Sequence, residues 1–277
     1  METEESVSFM DRELLKLEHV SKTFRNDQGH PVRAVKDVSF QVIQGRSVGI
    51  VGESGCGKST LARLITGLMP LDEGEILLEG ERICGLSKKA QRQVYRHIQM
   101  VFQDPYSVIS PRMPIGTFLT EGLVHFGMIQ RKASANEAKK LLQMVDLEPQ
   151  LTGRLPHQLS GGQLQRVVIA RAISIHPKLV ILDEATSALD VSVQKQILKL
   201  LVRLQQEFDL TYLFIGHDLA VVRSITEEIL VMKDGEIIEK VPAERLTQEA
   251  RQDYTKQLLS AVFSVRELQA AEGSPVS

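Results

Sequence analysis

The sequence is poor in cysteine and in long apolar stretches, and its charge is nearly balanced. Two cysteines, Cys56 and Cys84, among 277 residues exclude a disulfide framework and a cysteine-rich metal site. No apolar run approaches the roughly 18–20 residues that span a bilayer. A formal net charge of −2 gives no electrostatic footprint for nucleic acid. The first 13 residues are acidic and lack an apolar core, which argues against a signal peptide. We therefore expect a cytoplasmic protein that meets a membrane only through another chain.

The apolar pattern predicts strands first and then an alternation of strands and helices. Alternating β-rich runs predict strands over 14–24, 35–42, 47–51 and a hairpin over 73–83. Loops punctuated by proline and glycine, with helical patterns such as residues 135–147, fill 104–175.

Strands and helices alternate after residue 175. The apolar spacing predicts a strand over 178–185, a helix over 193–208, a strand over 210–218 and a hairpin over 228–240. Such alternation is typical of a mainly parallel sheet that binds ligands at the carboxyl ends of its strands.

One glycine-rich segment has the pattern of a phosphate loop. "GESGCGKS", residues 52–59, matches G-x-x-x-x-G-K-[ST], follows the apolar strand "VGIV" and precedes a helical pattern. Its glycines let backbone N–H groups point at phosphate oxygens, and the following helix adds positive charge at its N-terminus. We expect Lys58 to reach the β- and γ-phosphates and Ser59 to bind Mg²⁺. Motif and flanks together favour this interpretation over a plain glycine-rich turn.

Two acids end the apolar run "LVILDE". Asp183 ends the predicted strand, where a carboxylate can hold Mg²⁺ directly or through water. Glu184 comes one residue later and should point differently, because strand side chains alternate. That position suits a carboxylate that orients or deprotonates an attacking water. Without the phosphate loop, a solvent-facing acid pair would be the better interpretation.

A second glycine motif, "LSGGQ" at 159–163, resembles the signature motif of the ATP-binding cassette (ABC) ATPases, and the resemblance extends over residues 14–245. Ser160 and Gln163 by themselves also form a capping box before a helix. The resemblance implies that Phe24 in "VSKTF" stacks on adenine and that Gln103 in "MVFQDP" contacts Mg²⁺ and the water site. It also implies that His217 in "IGHD" contacts the γ-phosphate and that "SALD", 187–190, is the D-loop.

The resemblance also implies a fold and a full site. The fold class is α/β, with a phosphate-loop NTPase (RecA-like) core, an antiparallel β subdomain and an inserted helical signature subdomain. The expected domains are a nucleotide-binding domain over 13–245, its helical subdomain over about 104–175, and a C-terminal extension, 246–277, with a disordered end. The expected catalytic residues are Glu184, His217 and Gln103, and the expected Mg²⁺ ligands are Ser59, Gln103 and Asp183. The expected ATP contacts are Phe24, Gly52, Glu53, Ser54, Gly55, Cys56, Gly57, Lys58, Ser59 and Thr60, with Ser160, Gly161, Gly162 and Gln163 acting in trans.

Two phosphate-binding motifs in one chain are explained by pairing in this family. Two cassettes associate head to tail, and ATP bound at one phosphate loop is covered by the partner's signature motif. The resemblance thus implies that the signature motif serves a partner's nucleotide. It also implies that the helical subdomain docks on a membrane permease, to which closure of the pair is transmitted.

Longer matches resemble the peptide/nickel importer branch, in particular its second, F- or E-type, ATPase subunit. They are "GESGCGKSTLARLITGL", "IQMVFQDPYSVISPRMPIG" and "ALDVSVQKQIL". The implied partners are a second ATPase subunit, in a heterodimer or a homodimer, two permease chains and an extracellular or periplasmic substrate-binding protein, with no nucleic acid. The implied location is the inner face of the cell membrane. Residues 252–259, "QDYTKQLL", match the branch motif "HPYT-x-x-LL" without its His-Pro, and "GGQLQR" leans towards nickel or metal-chelate import.

Other functions fit the sequence less well. A soluble ABC ATPase acting on ribosomes or DNA usually has twin cassettes or a long coiled-coil insertion, and neither is evident. An exporter subunit is a further alternative. A non-hydrolysing regulator would lack Glu184 or His217, whereas both are present. A metabolite kinase would share the phosphate loop and lack "LSGGQ".

Overall fold

Residues 12–26 and 28–261 are described by the computed structural model, and they divide into two units. Of the described residues, the strand-rich unit contains 13–26, 28–42, 46–84 and 214–261. The helix-rich unit contains 43–45 and 85–213, together with Arg12. The expected disorder at 264–277 lies outside the described residues, and so does most of the acidic N-terminal segment. The proposed boundaries at 104, 175 and 245 stay predictions.

A four-stranded sheet in the strand-rich unit has the order β2-β1-β4-β5. Its strands are β1 (Glu13–Arg25), β2 (Pro31–Ile43), β4 (Glu73–Leu78) and β5 (Glu81–Arg82). β1 pairs with β4, and β4 with β5, in antiparallel register. Glu79 and Gly80 form the turn between β4 and β5 with positive φ angles of 51° and 81°, as a tight hairpin requires. The predicted hairpin over 73–83 is confirmed.

The same unit contains the strand that leads into the glycine-rich loop. β3 (Ser47–Val51) is fully buried and runs parallel to β9 (Glu228–Lys233). β10 (Glu236–Pro242) pairs with β9 in antiparallel fashion, so that the order is β10-β9-β3. The helices of this unit are α1 (Lys58–Ile65), α7 (Leu219–Arg223), α8 (Leu246–Glu249) and helical residues 253–261.

Helices dominate the other unit. They are α2 (Lys88–His97), α3 (Ile115–His125), α4 (Ser134–Met144), α5 (Gly161–Ser174) and α6 (Val191–Phe208). Its strands β6 (Ile98–Val101) and β7 (Leu179–Asp183) are parallel. Helix α3 packs against α4 and α5. Helix α6 buries the apolar face predicted from its spacing, which consists of Ile197, Leu200, Leu201 and Leu204.

The remaining strand, β8 (Thr211–Gly216), is buried along its whole length. Short 3₁₀ turns occupy Pro105–Val108, Arg131–Ala133, Pro149–Gly153, Pro156–Gln158 and Ala243–Arg245. The parallel pairs and the antiparallel sheet confirm the predicted α/β class. In the part of the chain that the structure describes, no helix combines the length and the apolarity that a membrane crossing needs.

Candidate functional site

The loop between β3 and α1 packs closely against backbone on one side and is open on the other. A Cβ at Gly52 would lie 2.1 Å from the carbonyl oxygen of Met232, and one at Gly57 would lie 2.1 Å from that of Ala34. Only glycine fits at these two positions. At Gly55, whose φ is 83°, a Cβ would meet no other atom within 4 Å, and the surrounding residues 53–55 are exposed. The loop therefore offers its outer face to a ligand.

Lys58 is held under this loop by backbone carbonyls. Its side chain is buried, with 4% of its surface exposed. Its Nζ donates hydrogen bonds to the oxygens of Gly52, at 2.8 Å, and of Glu53, at 2.7 Å. Carbonyl partners stabilise a buried ammonium, whose charge would otherwise be costly to remove from water. The Lys58 ammonium is thus held in place by carbonyl groups of the loop itself.

The other predicted nucleotide contacts of this unit lie at the ends of its elements. Ser59 and Thr60 are half-buried in the first turn of α1. Phe24 lies near the end of β1 with 36% of its surface exposed, an unusual position for a large apolar ring. The Nζ of Lys22 lies 5.8 Å from the centroid of that ring. His217 is exposed directly after β8.

The two acids after β7 differ in environment. Asp183 is the last residue of the strand and is buried, with 6% of its surface exposed. Glu184 lies beyond the strand, with a left-handed φ of 49°. The expectation that strand alternation orients Glu184 is therefore wrong, because the left-handed backbone redirects this side chain after the strand has ended. A residue with a Cβ pays roughly 1 kcal/mol for that conformation, and such strain is concentrated at functional sites.

Gln103 and Glu184 are brought together from two loops. Gln103 Nε2 donates a hydrogen bond to Glu184 Oε2 at 3.1 Å and another to the Ser187 hydroxyl oxygen at 3.3 Å. The Ser187 hydroxyl in turn donates to the Glu184 backbone oxygen at 3.0 Å. Both loops follow parallel strands, β6 and β7, whose carboxyl ends lie at one edge. Sequence reasoning missed Ser187 as a partner, although a serine three residues after Glu184 is a recognisable signal for a serine turn.

The signature motif begins helix α5 with the predicted capping box. The Ser160 hydroxyl accepts from the backbone N–H of Gln163 at 3.3 Å, and Gln163 Oε1 accepts from the backbone N–H of Ser160 at 3.0 Å. Ser160 itself is exposed. Ser160 therefore lies at the N-terminus of a 14-residue helix, the end at which the helix dipole places partial positive charge.

The two glycines of this motif have different surroundings. A Cβ at Gly162 would lie 2.5 Å from Cγ1 of Val193 on α6, too close for any side chain to fit without a shift. A Cβ at Gly161 would meet Leu189 Cδ2 at 3.8 Å, an ordinary contact. Gly162 is therefore explained by packing within the unit, whereas internal packing does not require a glycine at position 161.

The model of the ABC transporter family matches residues 35–187, which are more than half of the chain. This chain belongs to the ABC transporter family. As a member, it is an ATPase whose hydrolysis of ATP is coupled to transport.

Relatives with assigned names match this chain over most of its length. The chain is 43% identical to the oligopeptide transport ATP-binding protein OppF of Bacillus subtilis, covering 91% of this chain and 83% of that one. It is 44% identical to the di/tripeptide transport ATP-binding protein DppF of Pseudomonas aeruginosa, covering 86% and 74%. These relatives confirm the predicted importer branch with its second, F- or E-type, ATPase subunit.

Solved structures of ABC proteins confirm the predicted phosphate-loop NTPase fold. A dimeric, post-hydrolysis state of the ATP-binding cassette MJ0796, bound to ADP and Pi, matches with a TM-score of 0.75 and 31% identity, covering 83% of this chain and 99% of that one. CbiO1 of Clostridium perfringens, part of the transporter complex CbiONQ, matches with a TM-score of 0.75 and 28% identity, covering 86% and 92%.

Proposed function

We propose that this chain is the ATP-hydrolysing subunit of an importer that takes up peptides through separate permease chains. The observation that carries the proposal is the open phosphate loop with Lys58 held by its carbonyls, in a chain whose signature motif has an exposed Ser160. The names of the relatives OppF and DppF support peptides as the cargo. Nickel or a metal chelate, towards which "GGQLQR" leans, is the second candidate.

The strand-rich unit binds the nucleotide. Residues 52–60 surround the phosphates with backbone N–H groups, and Lys58, held by the carbonyls of Gly52 and Glu53, directs its ammonium at the β- and γ-phosphates. The exposed ring of Phe24 stacks on adenine, an interaction worth about 1–3 kcal/mol for a base on an aromatic ring. His217 contacts the γ-phosphate.

The residues proposed for Mg²⁺ present the donors that this ion prefers. Asp183 offers a buried carboxylate, Ser59 a hydroxyl and Gln103 an amide oxygen. Mg²⁺ favours oxygen ligands and commonly takes one carboxylate together with phosphate oxygens and water, and each of these residues offers an oxygen of that kind. When bound, the ion neutralises charge on the phosphates.

Hydrolysis is assigned to the helix-rich unit. Glu184 accepts a proton from the attacking water or orients it, and Gln103 holds that carboxylate in place by its hydrogen bond. The Ser187 hydroxyl supports the same pair from the following turn.

The signature motif acts on a partner's nucleotide. The helix start is formed by an exposed Ser160 and the half-buried Gly161, Gly162 and Gln163, and a helix N-terminus suits phosphate. The solved cassette MJ0796 is a dimer. The partner is a second ATPase subunit, in a heterodimer or a homodimer. The complex adds two permease chains and a substrate-binding protein, and it holds this chain on the cytoplasmic face of the membrane.

Calorimetry of ATP binding to the isolated chain tests the nucleotide site. Lys58→Ala should abolish binding, since Lys58 is the single side-chain cation within residues 52–59. The matched control is Lys89→Ala, which removes an exposed lysine on α2 and should bind ATP as the unmodified chain does. Unchanged affinity in a folded Lys58→Ala variant would refute the site.

Co-purification of the chain with integral-membrane permeases separates a transporter subunit from a soluble ABC ATPase.

A further inference from the structure

Tyr254 contacts the phosphate loop from the C-terminal segment. It lies beyond the end of the family match at residue 187 and belongs to the "QDYTKQLL" stretch. Its hydroxyl oxygen accepts a hydrogen bond from the backbone N–H of Glu53 at 2.9 Å. The side chain is buried, with 7% of its surface exposed, and Lys233 Nζ lies 4.9 Å from its ring centroid. Burial raises the pKa of the Tyr254 hydroxyl, which therefore stays protonated at neutral pH.

The segment that carries Tyr254 is anchored by one carboxylate. Glu239 of β10 accepts hydrogen bonds from the backbone N–H groups of Arg251, at 2.6 Å, and Gln252, at 3.4 Å. It also contacts the hydroxyl of Thr255, a fully buried residue. The pairing of β10 with β9 shifts register between residues 237 and 239, at this point of the strand. A side chain from a strand thus caps the helix over 253–261 and holds Tyr254 in place.

The hydrogen bond from Glu53 has a direct link to Lys58. The Glu53 N–H and the Gly52 carbonyl belong to the same planar peptide group. That carbonyl accepts the hydrogen bond from Lys58 Nζ at 2.8 Å. The peptide is therefore held at both ends, by the Tyr254 hydroxyl on one side and by the ammonium on the other. Hydrogen bonds joined through a peptide polarise one another, and rotation of this peptide would break both.

We propose that Tyr254 is a positioning residue for Lys58, acting through the Gly52–Glu53 peptide. The C-terminal segment thereby contributes to ATP affinity without touching the nucleotide. This inference rests on the proposed nucleotide site and extends it to a residue outside the nucleotide-binding motifs.

ATP binding to the full-length chain, measured by calorimetry, tests the proposal. Tyr254→Phe keeps the ring beside Lys233 and removes only the hydroxyl. Loss of one net hydrogen bond predicts a rise in the dissociation constant of about 3- to 10-fold. Amide hydrogen exchange at Glu53 should accelerate in the same variant, because its N–H loses its acceptor. Tyr254→Ala should weaken binding at least as much.

Tyr212→Phe is the matched control. Tyr212 is also buried, and its hydroxyl donates to the Leu201 carbonyl at 3.0 Å in the helix-rich unit. Its loss should lower the melting temperature and leave ATP affinity unchanged. An ATP affinity equal to wild type in Tyr254→Phe would overturn the proposal. If only Tyr254→Ala binds ATP weakly, the effect comes from packing of the ring and not from the hydroxyl. An equal loss of affinity in Tyr212→Phe would show a general effect of stability. If Lys58→Ala itself binds ATP normally, the proposed nucleotide site is wrong. That outcome is distinct from a failure of the Tyr254 proposal alone.

Discussion

Single residues in this chain are fixed by contacts with residues far away in sequence. Gln103 and Glu184 are 81 positions apart, and a hydrogen bond joins their side chains. Glu184 also keeps a left-handed backbone that strand geometry would not produce. A carboxylate held in this way has a fixed direction in which to accept a proton, as a general base requires.

Glu184→Gln should preserve ATP binding and lower turnover about 10²-fold or more, because an amide cannot accept the proton from water. Gln103 Nε2 can still donate to the amide oxygen, so the local hydrogen bond survives. The measurement is steady-state ATPase activity of the assembled complex beside ATP binding to the chain. Glu207→Gln, at an exposed position of α6, is the control and should keep full turnover. Near wild-type activity in Glu184→Gln would remove this residue from the mechanism.

Helix α5 illustrates how one element serves both folding and function. Its capping box and its contact with α6 are structural, whereas the exposed Ser160 at its N-terminus is accessible to a ligand. Gly162 belongs to the structural part, since α6 leaves no room for a Cβ there.

Gly162→Ala should reduce the free energy of unfolding by about 1–3 kcal/mol, the usual cost of overpacking. Gly161→Ala is the matched control and should be tolerated, because its Cβ would make an ordinary contact. Urea unfolding of the isolated chain measures both. Combining Gly162→Ala with Val193→Ala should recover part of the loss by removing the clashing methyl group. Equal stability of the Gly161 and Gly162 variants would contradict this account of the motif.

At the scale of the whole molecule, the signature motif and the phosphate loop belong to different units of the chain. The proposed function assigns each motif to a different nucleotide of a pair of cassettes. Binding by the isolated chain and hydrolysis by the assembled complex should therefore respond separately to substitutions in the signature motif.

Ser160→Arg should leave the ATP affinity of the isolated chain nearly intact and strongly reduce the ATPase activity of the complex. The added bulk and charge would block closure over the partner's nucleotide. Ser160→Ala removes the same helix cap without the bulk, and should retain more activity than Ser160→Arg. In a heterodimer of ATPase subunits, hydrolysis should be lost at the nucleotide site of the partner. In a homodimer, hydrolysis should be lost at both nucleotide sites. Loss of ATP binding by a correctly folded Ser160→Arg chain would show that the motif acts within its own chain.

The elements and the motifs could be predicted from the sequence, because both depend on local patterns. Strand β3, the hairpins at Glu79-Gly80 and Asp234-Gly235, the apolar face of α6 and the capping box at Ser160 follow from periodicity and from residue types a few positions apart. The nucleotide motifs are local for the same reason, since a phosphate loop needs glycines, a lysine and a helix start within eight residues.

Contacts between residues that are distant in the chain are seen only in the tertiary structure. The Tyr254 hydroxyl accepts a hydrogen bond from the Glu53 N–H, 201 positions earlier in the chain. A glycine is needed at position 162 because a methyl group of Val193 leaves no room for a Cβ. The left-handed backbone of Glu184 likewise arises where a strand ends and a turn begins. Such features depend on how separate segments pack, and no local period encodes the packing of segments that are distant in the chain.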